Sequence, residues 1–188
     1  LFIFQLLSFF AIIGYGRFFT TSIFQDTINN EYIKKFKTIE FLFGLISIGT
    51  LGILINFFYP INDLVSFIIY ILGIIFFIFF FIKLKNKKSE ILIYLIIIFL
   101  ATIFSFYSLS NDDYDYHFLT IMNFKNFPIL SDLVLDPDEG RRFAYNSHWL
   151  MLNSIFYITK FPVSLYVITS LLYILVIYDF YSSFKRNY

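Results

Sequence analysis

Five stretches of the chain are almost uninterrupted in apolar side chains: residues 1–15, 41–58, 64–82, 91–109 and 163–180. They approach or match the roughly 20 residues that a helix needs to cross the hydrocarbon of a bilayer. None alternates with period two, and all are long for strands, which argues against a membrane β-barrel. Buried helices of a soluble core fail on number, because the polar segments are too few to cover five such rods. The pattern therefore predicts an all-α, polytopic bundle of transmembrane helices. Residues 1–188 read as a single membrane domain, with a polar segment 110–162 that carries short juxtamembrane helices. No internal repeat and no second domain stand out. Leu1 lies inside an apolar run and Tyr188 just past a basic cluster, so the chain reads as a piece of a longer polytopic protein.

Composition agrees. Hydrophobic residues make up 59% and charged residues 14%, against about 45–50% and about 25% in soluble domains. The 29 Phe and 15 Tyr suit helices whose outer faces meet lipid. The Phe, Ile, Asn, Lys and Tyr bias suggests an AT-rich, bacterial genome. Cysteine is absent, which excludes disulfides and thiolate metal sites. A net charge of +1 singles out no nucleic-acid surface, and no nucleic-acid partner is expected. Phosphate-binding loops, HExxH and GxSxG are missing, which leaves ATP-driven and hydrolase readings without support.

Charge placement orients the bundle. Arg17, Lys34, Lys35 and Lys37 lie between the first and second apolar runs, Lys83, Lys85, Lys87 and Lys88 between the third and fourth, and Lys185 and Arg186 after the fifth. Basic residues favour the cytoplasmic ends of helices, and five alternating spans put these three places on one side. Segment 110–162 then faces outward, which for a bacterial inner-membrane protein is the periplasm. Within it, Tyr114, Phe118, Ile121, Met122 and Phe124 recur at near-helical spacing up to Pro128 and predict an amphipathic helix on the outer surface. The apolar stretch 148–161 is short for a span and reads as a juxtamembrane or re-entrant helix. Trp149 and Tyr157 suit its interface.

The densest polar cluster is Asn111-Asp112-Asp113-Tyr114-Asp115-Tyr116-His117. On a helix Asp112 and Asp115 share a face, as do Asp113 and His117. Such a group can hold a divalent metal through Asp112 and Asp115. Alternatively, Asp112, Asp113, Asp115 or His117 can act as a general base on an acceptor hydroxyl. The plainer reading is that acids in a first helical turn complement the helix dipole. Arg141 and Arg142 can fork onto a phosphate, or simply neutralise Asp136, Asp138 and Glu139. His148 and Trp149 follow within the same segment, as further donor contacts or as interfacial anchors. The glycines at 14, 16, 44, 49 and 52 mark helix termini or close helix packing.

An acidic motif opening a long outer loop after short-looped helices, here Asp112-Asp113-Tyr114-Asp115-Tyr116-His117, resembles the GT-C type of bacterial membrane glycosyltransferase. Asn146-Ser147-His148-Trp149, Gly14-Tyr15-Gly16 and Phe57-Phe58-Tyr59-Pro60 are similar to stretches in uncharacterised bacterial membrane proteins of that kind. The resemblance implies a polyprenyl-phosphate-linked sugar donor, transfer on the outer face in cell-envelope glycan assembly, and contact with membrane lipids. It also implies a role for Asp112, Asp113 or Asp115 as base or metal ligand; read with the residue chemistry above, the candidate site is Asp112, Asp113, Asp115 and His117, with Arg141, Arg142, His148 and Trp149 toward the lipid-linked donor. The acidic motif departs from many such enzymes in following the fourth helix, not the first. The rival class is a transporter or flippase component, or a scaffold. A transport path usually needs an ionisable residue within a span, and the five apolar centres contain none.

Overall fold

The computed structural model describes residues 1–23, 37–84, 87–105, 118–129, 147–157 and 167–187. All regular structure among them is helical. The helices are α1 (Phe2–Ile23), α2 (Lys37–Asn56), α3 (Asp63–Ile82), α4 (Lys87–Phe104), α5 (Leu119–Asn126), α6 (Ser147–Phe156) and α7 (Val167–Asn187). Four are long and apolar enough to span a membrane: α1, α2, α3 and α7. The fourth apolar run forms α4, which is 18 residues long and begins with Lys87, Lys88 and Glu90.

α1 sits at the centre, packed on α2, α3, α4 and α7. Every side chain from Ala11 to Arg17 is buried, as a helix enclosed on all sides requires. α3 and α4 are one-faced instead. Ser66, Ile69, Tyr70, Gly73 and Phe77 of α3 point inward, while Phe67, Ile68, Ile71, Leu72, Ile75, Ile78 and Phe79 stay exposed. The outer face is thus as apolar as the inner one, far beyond the patch that a monomer shows to water.

Glycine sets how closely α1 approaches its neighbours. A Cβ on Gly14 would land on the Gly73 carbonyl oxygen and 2.8 Å from the Phe77 nitrogen. One on Gly16 would land on the Glu40 carbonyl. The glycine pair Gly14–Gly73 lets the α1 and α3 backbones touch, the close approach that packs helices in lipid. Around this contact Phe10 stacks on Phe77 with ring centroids 4.4 Å apart, and Phe9 meets Tyr94 at 5.1 Å.

α1 runs eight residues further than the apolar run 1–15 predicts, which corrects the placing of Arg17 in a loop. Polar side chains in the last two turns serve themselves. Thr20 donates to the Gly16 carbonyl (2.8 Å), Thr21 to Arg17 (2.7 Å) and Ser22 to Phe18 (2.8 Å). Helical backbone thereby satisfies hydroxyls that sequence alone assigns to a connection.

α1 and α3 run antiparallel to α2. One end of the bundle gathers the end of α1, the starts of α2 and α4, and the end of α3. We call this the basic end, since Lys83, Lys87 and Lys88 lie there. The far end holds Asn56, the turn to Asp63, and α5. Asn62 starts α3 by accepting the Val65 N–H at 3.0 Å, a side-chain N-cap.

Asn56 ties the far end together. Its Nδ2 lies 3.0 Å from the Phe124 carbonyl, 3.2 Å from that of Phe127 and 3.3 Å from that of Tyr59. α5 ends there because Phe127 is extended ahead of Pro128, whose ring disfavours helix at the preceding residue. Asn56→Ala removes a buried donor shared by three carbonyls, of which that of Phe124 keeps the Ile61 N–H at 2.8 Å, and is expected to cost about 1–3 kcal/mol. A lower melting temperature of the detergent-solubilised protein is the check.

Candidate functional site

Of the residues singled out for chemistry, Asp112, Asp113, Asp115, His117, Arg141 and Arg142 lie outside the described residues. His148 and Trp149 lie in the first turn of α6. This helix packs along the far half of α2 and against α3 and α5. The His148 ring fills the space over Gly49, which a Cβ there would occupy, and its Nε2 is 3.4 Å from the Ile46 carbonyl. Further along, Met151 and Ile155 sit over Gly52. α6 therefore runs parallel to α2, starting beside its middle and ending at the far end. Trp149 is half-buried against the hydrophobic core.

Lys125 of α5 closes α6. Its Nζ donates to the Tyr157 carbonyl at 2.9 Å and lies 2.8 Å from Asp63 Oδ1. A cation on the last carbonyls satisfies a helix C-terminus. Tyr157 is 3% exposed and packs edge-on to Phe118, which corrects its expected place at the water interface. The Lys125 Nζ also lies 6.0 Å from the centre of the Tyr157 ring.

Two polar clusters inside the bundle were not foreseen. At the far end Gln5, fully buried, donates through Nε2 to Ser105 Oγ, with Ser170 Oγ at 3.1 Å and the Ala101 carbonyl at 3.2 Å. Thr102 donates to Gln5 Oε1 at 3.2 Å. One amide thus joins α1, α4 and α7, the polar glue expected where apolar surface alone gives no drive to associate.

The second cluster is ionic and lies toward the basic end. Arg17 Nε donates to Glu40 Oε2 at 3.1 Å, and Arg17 Nη2 to the Tyr94 hydroxyl at 2.6 Å. Lys37 Nζ donates to Glu90 Oε1 at 3.0 Å. The Thr38 backbone N–H donates to Asp179 Oδ2 at 2.8 Å, so a carboxylate from α7 caps the start of α2. The side chains of Arg17 and Glu40 are each 7% exposed. Asp179 is buried against the start of α2, and Arg17 and Glu40 lie within membrane-length helices, toward the basic end and outside the apolar centres. The sequence signal was Glu40 three residues after Lys37 at a helix start, with Arg17 three residues beyond Gly14. An apolar-run search cuts both helices short of these residues.

Four membrane-length helices, an apolar outer surface and polar contacts turned inward define a multi-pass helical membrane protein. Comparison of the chain with protein-family models, with curated proteins and with solved structures gives no match.

Proposed function

We propose that this chain is part of a GT-C-like glycosyltransferase of a bacterial inner membrane, using a polyprenyl-phosphate-linked sugar in cell-envelope glycan assembly. The supporting observation is where the two candidate groups are tethered. α4 reaches the far end at Ser105, seven residues before Asp112, and α6 begins five residues after Arg142 and runs to the same end. In sequence, the acids thus follow the far end of α4, and the arginines precede a helix that starts beside the middle of α2 and runs to that same end. In this reading Asp112, Asp113, Asp115 and His117 provide the base or hold a divalent metal, and Arg141 and Arg142 hold the donor phosphate. Alanine substitution of Asp112, Asp113 and Asp115 in the full-length protein tests it: surface glycan is expected to be lost at unchanged expression. Undiminished glycan removes the reading.

The buried Arg17–Glu40 pair favours a second reading, a transporter or flippase component, since intramembrane charges mark transport paths. Binding of a polyprenyl-phosphate sugar by the purified full-length protein, undiminished by Glu40→Gln but abolished by Arg141→Ala with Arg142→Ala, separates the first reading from the second.

A further inference from the structure

The outward face of α2 carries polar groups at a depth where lipid should meet none. Thr50 is exposed, and its hydroxyl makes no hydrogen bond among the described residues. Ser47, one turn earlier on the same face, is half-exposed, though it donates to the Phe43 carbonyl at 2.7 Å. His148 lies half-exposed over Gly49 beside them, with one long contact of 3.4 Å to the Ile46 carbonyl. At about 1.5 Å per residue, Thr50 lies about 9 Å and Ser47 about 14 Å inside the Asn56 end of α2. A hydrocarbon core is about 30 Å thick, so the strip is well within it.

Hydrocarbon is a poor neighbour for this strip, since a hydroxyl moved from water to alkane without a partner costs several kcal/mol. α6 also begins at this level, and backbone entering a helix at membrane depth is tolerated only where protein covers it or water reaches it. Leu42, Ile46 and Leu54 are exposed on α2 as well, so the polar strip runs beside apolar side chains, whereas at comparable depth α3 exposes only apolar ones, such as Ile68, Ile71 and Leu72.

We propose that Ser47, Thr50 and His148 line a water-filled cavity within the membrane, which admits small polar or ionic solutes. The imidazole and the two hydroxyls hydrogen-bond the solvent there, and Gly49 provides the room that lets His148 lie flat on α2. This cavity stands independently of the transferase reading.

The test uses the absence of cysteine from these 188 residues; any cysteine elsewhere in the full-length protein is first replaced by serine, so that an introduced thiol is the sole one. Thr50→Cys, Ser47→Cys and Ile71→Cys are made in the full-length protein and held in sealed vesicles. Each is treated with a charged methanethiosulfonate that does not cross membranes, applied from either side. Thiol modification needs the thiolate, and so water. Thr50→Cys and Ser47→Cys are expected to react at least tenfold faster than Ile71→Cys, from one side. Either position suffices if the other variant does not fold. Labelling of both as slow as that of Ile71→Cys would overturn the proposal and show that lipid or a packed helix covers the strip.

Discussion

Replacing Gly14 with alanine is expected to be strongly destabilising. The added carbon would fall on the Gly73 carbonyl and beside the Phe77 nitrogen. Both belong to rigid helical backbone, so no side chain can swing aside. α1 and α3 would have to part, and with them the stacked Phe10 and Phe77 rings. Overpacking in a core costs about 1–3 kcal/mol and occasionally more; contact of two backbones puts this site at or above the top of that range, about 3 kcal/mol. Reversible unfolding of the detergent-solubilised protein by added denaturing detergent measures it. Ile71→Ala, on the apolar outer face of the same helix, should cost little by comparison.

Glu40→Ala is expected to be comparably severe for a different reason. It leaves the Arg17 guanidinium buried with, among the described residues, only the Tyr94 hydroxyl as a hydrogen-bond partner. Breaking one side of a buried pair costs about 3–5 kcal/mol, whereas replacing both members by apolar residues of similar volume is far milder. Arg17→Met combined with Glu40→Leu should therefore recover much of the stability that Glu40→Ala loses. The double variant melting below the single one would refute the account. The same pair of variants, assayed for function, separates a structural clamp from an ionisable group that acts.

The bundle was legible in the sequence because runs such as 64–82 have one simple cause: a helix between lipid and a packed interior carries no charge on either face. Helix ends were less legible. Hydropathy stops at the first charge, yet Arg17 continues α1, since its partner lies on another helix and is invisible to any local window. Gln5 was passed over for the same reason. Its acceptors, Ala101, Ser105 and Ser170, stand about a hundred residues or more away along the chain. The helix over 148–161 was legible as short and apolar, but not its start beside the middle of α2, which depends on two glycines of α2. The candidate acids and arginines were read from residue type and spacing alone, and lie outside the described residues.

The carboxylate that caps α2 comes from α7. Membrane helices enter the bilayer in order as the chain emerges from the ribosome. Until the last of these helices arrives, the first turn of α2 lacks its anion, and Gln5 and Ser105 lack Ser170. A nascent chain halted before Val167 would carry exposed polar edges at both ends of an otherwise assembled bundle. Quality-control proteases that sense such edges would destroy premature truncations, while the finished chain would escape them.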